Sequence, residues 1–166
     1  ESWYKVAWFY SEGKGVEKDG AYAASCCEKE LSRNPRHRGA NNLLGQAYLH
    51  GDGVPQDYAK AYQHLIAAFD AKNCNWGAFY LAQCAFNGWG TPQDYGKALQ
   101  FLNAVDWQNR EADYMRGYIC ARGLGGVQED IPKGVAYLQK AGNFSKAKEE
   151  LLNYKKTLFG KWVRRK

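Results

Sequence analysis

The sequence predicts an all-α chain of four stacked helix pairs, and three observations carry the prediction. The first is a loop signature that returns four times. Gly13-Lys14-Gly15-Val16-Glu17-Lys18-Asp19 comes back as Gly51-Asp52-Gly53-Val54-Pro55-Gln56-Asp57 and as Gly88-Trp89-Gly90-Thr91-Pro92-Gln93-Asp94. A fourth copy, from Gly123 through Gly125 to Asp130, carries Gly126 as an insertion, and successive aspartates lie 38, 37 and 36 residues apart. The second is a pair of small residues ahead of each loop: Ser2, Ala40, Gly77 and Ala112 eleven positions before the first glycine, and Ala7, Gly45, Ala82 and Gly117 six before it. The third is a large apolar residue behind each later aspartate, at Leu65, Leu102 and Leu138, with Cys27 taking that place in the first copy. A period in this range is the signature of a repeat architecture, in which each unit buries its apolar face only against a neighbour.

Each copy reads as helix A, glycine loop, helix B. The first glycine ends helix A in the left-handed conformation that a residue with a Cβ adopts only at a cost. The valine that follows is expected to plug the loop against the core. The aspartate then opens helix B, its carboxylate accepting from the unpaired amides of the first turn and facing the positive end of the helix dipole, an effect of ~1 kcal/mol. Pro55 and Pro92 precede that start, and Pro132 falls in a first turn, where a missing amide hydrogen costs little. Small side chains at fixed positions let neighbouring helices approach closely. This divides the chain into residues 1–142, with repeats at approximately 2–38, 39–75, 76–111 and 112–142, and residues 143–166. The last segment reads as an amphipathic helix capped by Ser145, with Ala147, Leu151, Leu152, Tyr154 and Leu158 inward, closing the stack ahead of a basic tail.

Taken together, Ala40, Leu44-Gly45, Tyr48, Gly51, Gly53-Val54, Asp57 and Lys60-Ala61 resemble the Sel1-like repeat family, and the other three copies match in part across residues 2–142. The first copy departs with Tyr22-Ala23 in place of Lys-Ala, the third with Thr91 and Ala85 in place of Val and Tyr, and the fourth with Arg116 in place of Leu. The resemblance implies a right-handed α-solenoid with a C-terminal capping helix. It also implies a noncatalytic adaptor for another protein or peptide, of a kind found in bacterial signalling, envelope and secretion assemblies. An immunity or inhibitor protein that neutralises a toxin is the special case within that class.

Composition narrows the function further. The net charge of +6 is confined to the end of the chain: residues 146–166 hold eight Lys or Arg against two Glu, and residues 1–145 hold fifteen of each sign. A neutral repeat body disfavours nucleic acid as the main partner. A nucleic-acid or acidic-glycan binder acting through Lys155, Lys156, Lys161, Arg164, Arg165 and Lys166 stands as the rival class, against the plainer reading that these charges solvate a helix end and complement its dipole. Five cysteines, Cys26, Cys27, Cys74, Cys84 and Cys120, leave at least one thiol unpaired; most read as small buried residues, with one disulfide left open. Neither a C-x-x-C pair nor a His-x-x-x-His pair occurs, so no metal is expected, and the glycine spacing fits neither a dinucleotide nor a Walker loop, so no cofactor is expected. The recurring aspartates are explained as caps, and no nucleophile is paired with a base, so no enzyme is expected. Apolar runs are too short to span a bilayer. The chain starts at Glu1 without a Met or signal-peptide features, which reads as a processed form or a piece of a longer chain, in a bacterial cytoplasm, a periplasm or outside the cell.

In stacked helix pairs helix A lines the inner surface, so helix-A positions that vary between copies are the candidates for binding. Positions nine, five and two before the first glycine share a face. They are Tyr4, Trp8 and Ser11; Asn42, Gln46 and Leu49; Phe79, Gln83 and Phe86; and Tyr114, Tyr118 and Ala121. Aromatic rings around central amides suit an interface that anchors a peptide by its rings and orients it by hydrogen bonds. The same rings are also the material from which the spaces between helices are filled. Trp89, set between two loop glycines, is either a second candidate or packed on an adjoining repeat.

Overall fold

Four left-handed glycines set the course of the chain. In the computed structural model, which describes residues 2–69 and 77–165, Gly13, Gly51, Gly88 and Gly123 each end a helix with φ between +62° and +76°. The residue after each glycine donates its amide to the carbonyl five positions back: Lys14 to Phe9, Asp52 to Ala47, Trp89 to Cys84 and Leu124 to Ile119. This closure satisfies carbonyls that a helix end otherwise leaves open. Each loop aspartate then caps the next helix as the sequence predicts. Asp19, Asp57, Asp94 and Asp130 accept from the amides of Tyr22, Lys60, Lys97 and Lys133 at 2.9–3.0 Å.

The chain divides into two compact units, Glu1–Gln93 and Asp94–Lys166. The first holds α1 (Trp3–Glu12), α2 (Gly20–Arg33), α3 (Arg38–His50), α4 (Tyr58–Ala68) and α5 (Ala78–Asn87). Here α1 packs on α2 and α3 on α4 as antiparallel partners, with further contacts of α2 on α3 and α4 on α5. Its core is built from Ala7, Ala24, Cys26, Cys27, Ala40 and Leu44, flanked by Trp3, Tyr4, Leu43 and Tyr48. The small helix-A positions act as expected: a Cβ on Gly45 would sit 2.8 Å from Leu65 Cγ, and Leu65 is fully buried.

The second unit holds α6 (Tyr95–Asn103), α7 (Arg110–Arg122), α8 (Ile131–Lys140), α9 (Ser145–Leu151), β1 (Tyr154–Lys156) and β2 (Trp162–Arg164). Here α7 packs on α8, and Ala121, Val135, Leu138, Ala141, Ala147 and Tyr154 form one buried cluster of the core. Among the described residues the two short strands are the only sheet, and the fold is of the all-α solenoid class.

Four expectations are corrected. The terminal helix stops at Leu151 after seven residues, and Ser145 is its first residue, following Phe144, rather than a side-chain cap. The chain then forms the antiparallel pair β1–β2, so the basic run lies in a hairpin rather than at a helix end. Ala147 and Tyr154 are buried and Leu151 half-buried as expected, yet Leu152 and Leu158 are exposed, Leu158 completely, because the polypeptide leaves the helix before either can turn inward. Val16 is also exposed, whereas Val54 packs on the core. Cys26, Cys27, Cys84 and Cys120 are buried free thiols. Cys74, and the repeat boundary placed at residues 75 and 76, lie outside the described residues.

Candidate partner-binding face

The second glycine of the loop explains how adjoining repeats are spaced. At Gly53 a Cβ would collide with the backbone of Gly20 and Ala21 at the start of α2, and at Gly90 with the carbonyl of Tyr58 at the start of α4. Gly125 meets Tyr95 and Gly96 at the start of α6 in the same way. Each of these glycines brings one main chain directly onto another, at φ values of +66° to +74°. Gly15 has the same conformation but nothing within 4 Å of its Cβ position. Gly126 also faces open space, so the inserted residue is absorbed by lengthening the loop. The Asp130 amide still reaches back to helix A, bonding the Cys120 carbonyl at 2.9 Å as Asp57 bonds Tyr48. Trp89 stacks on Tyr58, ring centres 5.2 Å apart and nearly parallel, so it belongs to this packing.

The helix-A side chains of the first unit divide by depth. Leu49, Asn42 and Gln83 are buried, while Tyr4, Trp8, Ser11, Gln46, Phe79 and Phe86 are half-buried. Tyr4 serves structure: its ring would be 2.5 Å from a Cβ on Gly39 and lies 4.9 Å from the His37 ring, on the opening turn of α3. Trp8 takes the ammonium of Lys14 over its ring at 4.3 Å. Asn42 Oδ1 lies against Gly77 and accepts no hydrogen bond among the described residues. Ser11 and Gln46 share the wall of a cleft of about 150 Å³ between α1, α2 and α3. Ala23, Ala24, Cys27 and Leu44 also line it, together with Glu12, His50 and the Lys18–Asp52 ion pair at 2.8 Å.

In the second unit the corresponding rings are engaged by their own fold. Tyr114 meets Phe144 at 5.3 Å and Tyr118 at 5.9 Å, and Arg122 lies over Tyr118 at 4.6 Å. Burial pushes the Tyr114 hydroxyl up to about 12. Ala121 is fully buried against α8, where it faces Gly134.

Several residues that organise the structure went unread in the sequence. Gln56 and Gln93 donate from their side chains to the Leu49 and Phe86 carbonyls at 2.8 Å, closing the ends of α3 and α5. Their signal was available, since both stand directly before the loop aspartate. Asn41 is buried, donates to the Pro35 carbonyl at 2.9 Å and meets His64 Nδ1 at 2.9 Å. Arg116, the departure from leucine, reaches the Leu102 and Val105 carbonyls at 2.5 and 3.0 Å and buried Asp113 at 3.2 Å, so it caps the end of α6. Glu150 receives both arms of the Arg122 guanidinium at 2.9 and 2.8 Å and the Tyr154 hydroxyl at 3.0 Å. That cluster ties α7 to α9 and the hairpin.

Chemistry elsewhere is muted. Burial pushes the Cys27 and Cys84 thiols up to about 12, far from the thiolate that acts as a nucleophile. Among the described residues no three His, Cys, Asp or Glu side chains gather as a metal site would need.

Comparison with known proteins agrees with this geometry. The Sel1 repeat model matches residues 3–29, 39–73, 77–104 and 110–143. A protective antigen of uropathogenic Escherichia coli strains, described as displaying an SLR fold, superposes with a TM-score of 0.69 at 26% identity, over 84% of this chain and 29% of its own. A Sel1 repeat protein from Oxalobacter formigenes superposes with a TM-score of 0.67 at 24% identity, over 90% of this chain and 61% of its own. The chain thus spans less than two thirds of either protein. No curated protein sequence matches it.

Proposed function

The chain belongs to the Sel1 repeat family, and we propose that it is a noncatalytic adaptor that holds a protein or peptide on its helix-A side chains, chiefly those of the first unit. Sel1 repeats are generally protein–protein interaction modules, and the proposal assigns this one its surface. The observation that carries it is the division of labour along α1, α3 and α5. Positions that repeat between copies, such as Ala7, Ala40, Leu44, Leu81 and Ala82, are at most 2% exposed and build the core. Positions that vary carry Trp8, Gln46, Phe79 and Phe86, which keep part of their surface in solvent. Half-exposed rings beside an amide are the groups that anchor and orient an extended chain, and large aromatics dominate the energy of such contacts.

In the second unit Tyr114 and Tyr118 hold the corresponding register positions on α7, but their packing on Phe144 and Arg122 gives them a structural share. The test is capture of a stoichiometric partner from lysate of the source organism, followed by titration of the purified pair. Trp8→Ala with Phe79→Ala should weaken the complex by about tenfold or more at unchanged helicity. Equal affinity for the parent and variant chains would move the site away from this face.

A further inference from the structure

A different part of the molecule is marked by its charge and by its exposed apolar side chains. Residues 151–166 contain six Lys or Arg and no acidic residue, so the entire net charge of +6 resides in these sixteen residues. The structure folds this segment into the β1–β2 hairpin. Its turn is closed by the Gly160 amide on the Thr157 carbonyl at 3.0 Å and the Thr157 amide on the Lys161 carbonyl at 2.8 Å. At the tip stand Leu158 and Phe159, 102% and 95% exposed, the two most exposed large apolar side chains among the described residues.

The tip is presented rather than loose, because the base of the hairpin is fixed. Tyr154 is buried and donates to Glu150, Arg164 pairs with Glu129, and Arg165 donates to the Tyr154 carbonyl at 3.2 Å. The register places Lys155 opposite Val163 and Lys156 opposite Trp162. Alternation then sets Lys155 and Val163 on one face and Lys156 and Trp162 on the other, so cations flank the apolar tip on both sides. Lys156 lies over the half-exposed Trp162 ring at 5.5 Å.

We infer that this hairpin docks the protein on an anionic lipid surface, with Leu158 and Phe159 entering the headgroup boundary and Lys155, Lys156 and Lys161 meeting the lipid phosphates. Two fully exposed apolar side chains on a narrow turn would need a matching socket on a folded partner. A fluid bilayer interface accepts them without any demand on shape. Lysines around that tip match the negative potential of an anionic leaflet, and a tryptophan at its edge belongs at headgroup depth. No helix among the described residues is long and apolar enough to cross a membrane, and the contact inferred is made by the hairpin alone.

The experiment is co-sedimentation of the full chain with vesicles of phosphatidylcholine alone and of phosphatidylcholine mixed with phosphatidylglycerol. Binding is expected on the anionic vesicles only, falling steeply as salt rises above about 0.1 M. Leu158→Ser with Phe159→Ser should weaken it by about tenfold with the charge intact, since the tip supplies the inserted area, and Lys155→Gln with Lys156→Gln and Lys161→Gln should weaken it at least as much. Failure of the parent chain to bind anionic vesicles at low salt overturns the inference. So does equal binding by the serine variant, which would reduce the hairpin to a general polycation, and so does a nucleic acid or acidic protein that requires the tip while the vesicles do not.

Discussion

The two units use one loop geometry but are held and exposed differently. In Glu1–Gln93 small residues let neighbouring elements approach closely, and the buried polar side chains among the described residues, Asn41, Asn42 and Gln83, are uncharged. Gly45 admits Leu65, Gly39 admits Tyr4, and the ion pair Lys18–Asp52 lies in solvent. In Asp94–Lys166 charge has moved inside. Asp113 and Glu150 are buried carboxylates, one meeting Arg116 and Lys140, the other Arg122, Tyr154 and Asn153. The difference teaches that the repeat motif specifies turns and caps but leaves the remaining packing to whatever each copy must adjoin. Where a copy meets the hairpin instead of another helix pair, a charged cluster around Glu150 is buried at the contact.

The largest expected effect separates the units directly. Glu150→Ala should destabilise the second unit by about 3 kcal/mol, the low end for a broken buried ion pair because Arg122 keeps some contact with water. Amide exchange should quicken from α9 through the hairpin while α1–α4 keep their protection. Uniform loss across the chain would show that the units do not differ in the way drawn here.

Next in size is the contrast between equivalent glycines. Gly53→Ala should cost about 3 kcal/mol, combining the left-handed penalty with collision against the α2 backbone. Gly15→Ala, with the same φ and open space around it, should cost about 1 kcal/mol, from the left-handed penalty alone. Urea unfolding of the two variants measures the part due to contact between repeats, and equal losses would remove that part.

The smallest effect is a pH response confined to the first unit, where all three histidines lie. Burial lowers the pKa of His64, which is stacked on Tyr48 and bonded to Asn41. The unfolded chain therefore binds the proton more readily. The stabilisation is complete above the ordinary histidine value of 6.5 and is lost as pH falls through the lower folded value. Melting temperature should drop below about pH 6.5 in the parent and less so in His64→Gln.

Local features of this fold were legible in the sequence because they rest on local physics. A glycine with positive φ and an aspartate accepting from the amide three residues on need no knowledge of distant residues. The repeat spacing then supplied the class of fold. The hairpin was not legible, since strands of three residues offer too little alternation to compete with the apolar spacing of Ala147, Leu151 and Leu158, which mimics a helix. The pair of buried Glu150 with Arg122 spans 28 residues, and no local pattern announces which acid turns inward. Arg116 was visible only as an exception, and its role depends on where α6 ends. The candidate face was read as a register on helix A. Its register did not say that Tyr4 would pack beside Gly39 and His37, or Tyr114 on Phe144.

The main-chain seams at Gly53, Gly90 and Gly125 have a consequence for how such a chain can change. A contact between two backbones leaves no room for a side chain at the glycine itself, so it fixes the spacing of the repeats and the identity of one residue in each loop. Any residue other than glycine at these three positions would push one main chain off the next, so the tolerance of the loop to change runs out where two backbones meet.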